Sequence, residues 1–245
     1  MAVRVRTLTC GWIIADAGGM VPGQQGEMRM PVGAFLIEHP AGTAVFDTGM
    51  HPELEHTKER MRSTADLFEL ETPEGWTVAG QLGRLGVSPD DVDVAVVSHL
   101  HFDHCGGLAQ LPGARVVVQR AEWSAAFSAP LVEFGVFNPE DFDLGHDRQV
   151  LDGEHDLFGD GSVVVVPTPG HTAGHQSLLV EGRLLLTGDA CYCRLALDLD
   201  APPEFGHDVD RQRAGFAWLR EQEAAGIQLV FSHDADQWAA LPPEL

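Results

Sequence analysis

Lysine is all but missing from this sequence: Lys58 is the only one among 245 residues, and Lys and Arg together number 15 against 37 Asp and Glu. With a formal net charge of -22, the chain lacks the clustered cations that grip a phosphate backbone, which argues against nucleic acid and an anionic membrane surface as partners. A polyanionic substrate is disfavoured for the same reason. Cysteine is scarce too. Cys10, Cys105, Cys191 and Cys193 are too few and too irregularly spaced to frame a fold of this length with disulfides, and Cys191-Tyr192-Cys193 is C-x-C rather than the C-x-x-C of redox sites. They read as reduced thiols. No run approaches the roughly 18 apolar residues of a membrane span, and the opening MAVRVRTLTCGW has no apolar stretch of secretory length. The expectation is a cytoplasmic protein.

What is present is material for a core. Hydrophobic residues make up 44% of the chain, with no repeat, low-complexity tract or composition break, so residues 1–245 are expected to fold as a single domain. Short apolar runs at 32–38, 43–46, 92–97, 115–119, 163–167, 177–180, 183–187 and 228–231 read as strands. Helical spacing appears at 77–85, 120–128 and 209–225. Strands in meanders followed by strands with helices interposed predict an α/β (α+β) fold in which sheets carry helices on their outer faces. Two stretches, 16–30 and 50–75, read as irregular loops of the kind that often rim a site.

The chemistry concentrates in VAVVSHLHFDHCGG, residues 94–107. An apolar strand delivers the chain to a turn where His99, His101, Asp103 and His104 arrive together. His99 and His101, two apart, can point the same way from extended backbone, while Asp103 and His104 lie beyond and can serve a neighbouring position. One short loop can thus feed two metal ions.

An H-x-H-x-D-H motif after an apolar strand resembles the signature of the metallo-β-lactamase superfamily. The resemblance implies an αββα sandwich, two mixed β-sheets face to face with helices outside and metals at one edge. It also implies a complete ligand set. His171 in TPGHTAGH, Asp189 in LLLTGDA and His233 in FSHDAD each follow an apolar strand. By the family pattern His99, His101 and His171 hold one ion, Asp103, His104 and His233 hold the other, and Asp189 bridges them. His175 stands outside the set. Asp47, in FDTG, would orient a metal-binding loop. Imidazole and carboxylate donors suit two zinc ions, although iron, manganese and cobalt accept the same donors. A hydroxide shared by two such ions is a nucleophile at neutral pH without any Ser or Cys.

Fold alone does not choose a substrate. Asp189 disfavours a β-lactamase, and the acidic surface disfavours a nuclease. Glyoxalase II, a thioester hydrolase, shares the ligand set, but it resembles this chain less because only twelve residues follow His233, too few for its basic C-terminal region. A non-catalytic metal-binding protein would be expected to have lost ligands. SHLHFDHCGG, VVVQRAEW, TPGHTAGHQS and LLTGDACY are similar, in the same order, to segments of N-acyl-homoserine lactonases, the quorum-quenching hydrolases. Tyr192, the only tyrosine, occupies the position whose phenol hydrogen-bonds the lactone carbonyl in that family. The implied reaction is ring opening by the shared hydroxide, with Tyr192 on the carbonyl oxygen and Asp103 carrying a proton to the leaving alkoxide. The substrate would be a small neutral lactone with an acyl chain, lined by apolar loop residues such as Met20, Val21, Leu67 and Phe68. Ser232 stands where Gly is common in these lactonases, and Cys105 where Ala is. The oligomeric state is open, a homodimer included.

Overall fold

The apolar run around residues 32–37 is continuous rather than alternating because both faces of its strand are covered. In the computed structural model, which describes residues 3–245, this run is the second half of β2 (Glu27–His39). Val32, Ala34 and Leu36 point into a core shared with helices, whereas Phe35 and Ile37 face a second sheet. β2 pairs antiparallel with β1 (Arg4–Asp16) and β3 (Gly42–Phe46), and β4 (Phe68–Glu71) closes that edge on β1. Beyond β3, the strands β5 (Val94–Val96), β6 (Arg115–Gln119) and β7 (Arg148–Leu151) continue the sheet in parallel.

The second sheet contains β8 (His155–Asp156), β9 (Val163–Pro167), β10 (Gln176–Val180), β11 (Leu184–Leu186) and β12 (Gln228–Val230), with β11 and β12 parallel and the other pairs antiparallel. Strand orders are β4-β1-β2-β3-β5-β6-β7 and β12-β11-β10-β9-β8. Between the sheets, Phe35, Phe46 and Val96 meet Val165, Leu178 and Leu186. On the outer faces, helix Val78–Arg84 contributes Val78 and Leu82, and helix Val209–Ala224 contributes Phe216 and Leu219. The layering is therefore the expected αββα sandwich. Burying a side chain such as Phe46 or Phe216 completely stabilises the layers by about 1.5–3 kcal/mol each.

Three differences from the sequence expectation have local causes. β1 carries no clean alternation because two residues, Cys10 and Gly11, oppose one on β2, and the register slips between Thr9 and Trp12. Gly11 sits at φ 126, and a Cβ there would come within 2.6 Å of Met50 and 2.7 Å of the Glu71 carbonyl. The stretch 16–30 is not irregular: Asp16 caps a single helical turn, Ala17–Met20, by accepting the Gly19 N–H at 2.9 Å, and β2 already begins at Glu27. The stretch 50–75 holds helix Leu54–Met61, a 3-10 turn Arg62–Leu67 and the edge strand β4. These elements are short and polar, and they draw stability from packing rather than from their own periodicity. Among the described residues no helix is long and apolar enough to cross a membrane.

Candidate metal centre

Strand ends deliver every candidate ligand to one edge of the sandwich. β5 runs into His99–His104, β9 into His171, β11 into Asp189 and β12 into His233. The first loop is anchored by Asp47, which sits just past β3 at φ 60, a left-handed conformation that Asp tolerates. Its Oδ1 accepts the Ser98 N–H at 2.6 Å and its Oδ2 accepts His104 Nδ1–H at 2.9 Å. A short helix, Phe102–Cys105, then turns Asp103 and His104 inward.

The donor atoms converge in two groups. His171 Nε2 lies 3.2 Å from His99 Nε2 and 3.1 Å from His101 Nδ1. Beside them, Asp103 Oδ2 is 3.3 Å from His104 Nε2 and 3.5 Å from His233 Nε2. Asp189 divides its oxygens between the groups: Oδ2 is 3.4 Å from His171 Nε2, and Oδ1 is 3.2 Å from His233 Nε2 and 3.3 Å from His104 Nε2. All seven side chains are buried except His101, which is half-buried.

The chemistry of these groups fits divalent ions. Ligands at about 2.0–2.2 Å from a tetrahedral ion stand about 3.3–3.5 Å from one another, close to the separations here. The outer nitrogens are already committed. His233 Nδ1–H donates to the Pro31 carbonyl at 2.9 Å, His104 Nδ1 is held by Asp47, and His99 Nδ1 lies 2.9 Å from Ser98 Oγ. This leaves the Nε2 lone pairs aimed inward. His104 Nε2 is buried with no hydrogen-bond partner of its own, a costly state that a cation relieves.

The electrostatics follow from the same crowding. Burial, reinforced by neighbouring histidines, keeps His99 and His171 neutral with pKa values well below the usual range, and burial brings His101 down to about 4. Burial opposes charge on His104 as well, but Asp189, Asp103 and Asp47 outweigh it and push its pKa well above the ordinary value. Asp189 is likewise held well below the carboxylate range despite burial, by His104 and His233. The three histidines of the first group are thus neutral, the form that binds metal, whereas His104, and His233 beside the same carboxylates, hold a proton that a bound cation would displace.

Tyr192, 5% exposed, places its hydroxyl 3.5 Å from His171 Nδ1. Burial, with Asp189 and Asp103 nearby, pushes the phenol well above its usual pKa, so it stays protonated as a donor. The His233 N–H donates to the Tyr192 carbonyl at 3.0 Å, which locks two ligand segments together.

The donors form the polar end of a cavity of about 720 Å³. Met20, Leu67 and Phe68 line its apolar flank, joined by Met30, Phe102 and Phe137. Val21 does not belong there. It follows the single turn Ala17–Met20, and its side chain is fully buried in the core. Sequence reasoning gave no role to several residues that touch the candidate ligands. Ser232 Oγ donates to Asp189 Oδ1 at 2.7 Å. His175, brought to a pKa of about 3 by burial, accepts the Asp189 N–H on Nε2 at 2.9 Å. Its remaining Nδ1–H therefore donates to Thr168 Oγ1 at 2.9 Å. Glu122 binds two ligand loops from behind. Position inside HLHFDH was the available signal for Phe102, and adjacency to His233 was the signal for Ser232.

Residues 29–227 match the metallo-beta-lactamase superfamily. The chain is 35% identical over 230 residues to the N-acyl homoserine lactonase AttM of Azorhizobium caulinodans, covering 89% of this chain and 88% of that protein. It is 30% identical over 226 residues to the N-acyl homoserine lactonase AiiA of Bacillus thuringiensis subsp. kurstaki, covering 89% and 86%. A solved N-acyl homoserine lactone hydrolase, with the product N-hexanoyl-L-homoserine bound at its catalytic metal center, aligns with a TM-score of 0.85 at 25% identity, over 99% of this chain and 98% of that one. The two-sheet layering, the histidine and aspartate donors gathered at one edge and these matches together place this chain in the metallo-beta-lactamase superfamily, among relatives that are N-acyl homoserine lactonases.

Proposed function

We propose that this chain is a metal-dependent hydrolase that opens the lactone ring of N-acyl-homoserine lactones to N-acyl-homoserines, a quorum-quenching activity. His99, His101 and His171 would hold one divalent ion, Asp103, His104 and His233 would hold a second, and Asp189, with an oxygen turned to each group, would be shared between them. Zinc is the first candidate, as a borderline ion suited to imidazole and carboxylate together. The observation that carries the reading is the meeting of two donor groups, with one Asp189 oxygen turned to each and a protonated phenol beside them, at the polar end of an apolar cavity.

When bound, the ions supply Lewis-acid activation of a water nucleophile and of the carbonyl at neutral pH. The chain's own residues do the rest. The apolar flank takes the acyl chain and excludes water around it, which suits a neutral substrate in a protein poor in cations. Tyr192 donates its hydroxyl to the lactone carbonyl oxygen, and the bond strengthens as negative charge develops there. As the ring C–O bond breaks, Asp103 moves the proton surrendered by the attacking water to the departing ring oxygen, so that one water is consumed and a hydroxyl and a carboxylic acid appear, the acid then releasing its own proton to solvent as the carboxylate. His175 and Ser232 fix Asp189 from its amide and from its Oδ1.

Residues 1–245 act as one domain in this reading, and four buried, free cysteines suit the reducing cytoplasm. The test is product analysis on purified, metal-analysed protein, with a panel of acyl-homoserine lactones, an aryl ester and a glutathione thioester. Lactone products should gain the mass of one water and re-close on acidification. Release of a fatty acid and free homoserine lactone would replace this reading with an amide hydrolase.

A further inference from the structure

Glu122 takes no part in the chemistry above, yet its carboxylate is completely buried. It follows β6 on the short helix Arg120–Ala125, and its hydrogen-bond partners are backbone amides. Oε1 accepts the Leu100 N–H at 3.0 Å and Oε2 accepts the Gly174 N–H at 3.0 Å. A carboxylate is expensive to bury unless its lone pairs are taken up, so its retention asks what those two bonds achieve.

Leu100 lies between His99 and His101. Gly174 lies in the turn that starts at His171 and ends at His175, the residue that accepts the Asp189 N–H. One side chain therefore joins the backbones that carry all three nitrogens of the His99, His101 and His171 group. The joint is tight, because a Cβ at Gly174 would collide with the backbone nitrogen of Glu122. The other donor group is supported elsewhere, His104 by Asp47 and His233 by the Pro31 carbonyl.

We propose that Glu122 is a positioning residue for the three-histidine site alone: its two oxygens set the spacing of the 99–101 and 171–175 turns at which His99, His101 and His171 converge on one ion. The proposal rests on the dinuclear reading above. Burial raises the Glu122 carboxyl, and the Thr172 hydroxyl together with the Leu100 and Gly174 amides opposes the rise, so the groups that favour the carboxylate belong to the same two turns.

The experiment is stepwise metal binding to the full chain, wild type against Glu122→Gln, which keeps the shape but turns one acceptor into a donor facing an amide. Chelator competition counts the ions, cobalt spectra separate a site of three imidazoles and the shared carboxylate from one of two imidazoles and two carboxylates, and thermal melting of the metal-free proteins controls for folding. Affinity at the three-histidine site should fall about 10- to 100-fold while the second ion stays bound. Gly174→Ala, which strains the same joint from the other loop, should give the same one-sided loss if the first variant does not fold. Equal retention of both ions, or their loss together with a lower melting temperature, would overturn the positioning role. A wild-type chain that itself binds a single ion would overturn the dinuclear reading instead, and the two failures are distinguishable.

Discussion

The polar end of the cavity and its apolar flank are held in different ways. At the polar end several donors are braced from behind by a buried group: His99 by Ser98, His104 by Asp47, His233 by the Pro31 carbonyl, and Asp189 by His175 and Ser232. The braces come from strands or their ends. On the flank, Leu67, Phe68 and Phe137 ride on a 3-10 turn, an edge strand paired only with β1, and a loop. Arg62 donates to the Val132 carbonyl at 2.9 Å, Ser63 Oγ donates to the Phe134 carbonyl at 2.9 Å, and Arg60 pairs with the buried Asp141. Leu67 and Phe134 are each 62% exposed. Chemistry is thus built on preorganised polar contacts that tolerate little loss, while recognition of an acyl chain is spread over apolar surface where each contact is small and replaceable.

The contrast can be broken by mutation, and the largest effect should come from the residue that serves both donor groups. Asp189→Ala removes that shared carboxylate, so metal content should drop below two ions per chain. Ring opening should slow by about 10³-fold or more, since the Lewis-acid contribution is worth several kcal/mol. Elemental analysis beside lactone kinetics decides the point, and an active variant retaining both ions would sink the bridging role. Tyr192→Phe comes next. It should lower the rate constant for ring opening by about 10- to 10³-fold with metal content unchanged, and an unaltered rate would remove the phenol from the mechanism.

Ser232→Ala should be milder, because it deletes a hydrogen bond to a ligand rather than the ligand. A fall in metal affinity of about 10-fold is expected, read by chelator competition, and an affinity equal to wild type would show that the 2.7 Å contact with Asp189 has no bearing on binding. The smallest effect belongs to the flank. Leu67→Ala should reduce kcat/KM for long-chain lactones by about fivefold, the equivalent of about 1 kcal/mol of apolar contact, and leave a short-chain lactone unchanged. A uniform loss across chain lengths would mean that Leu67 supports the fold of the rim rather than the acyl chain.

The same division governs what could be read before the structure. Four candidate ligands within residues 99–104 are legible because they are local, and the resemblance this motif carries leads to His171, Asp189 and His233 at strand ends. The flank is assembled from Met30, Phe68, Phe102 and Phe137, which no sequence window holds together. Val21 shows how fine the distinction is, since one step along a single helical turn separates a cavity residue, Met20, from a core residue. β1 escaped notice because its bulge shifts the pattern of buried positions. Glu122 resembles any acid on a surface helix until the fold shows two amides at its oxygens. Ser232 looks like a harmless small residue, yet its hydroxyl reaches the central carboxylate.

The central claim is that two ions gathered by these side chains carry out ring opening, and the most direct measurement is reconstitution of metal-free protein with increasing zinc. Initial rates of acyl-homoserine lactone opening should rise until about two equivalents are bound per chain and vanish again on chelation. Full activity at one equivalent, or turnover that a chelator does not abolish, would contradict it.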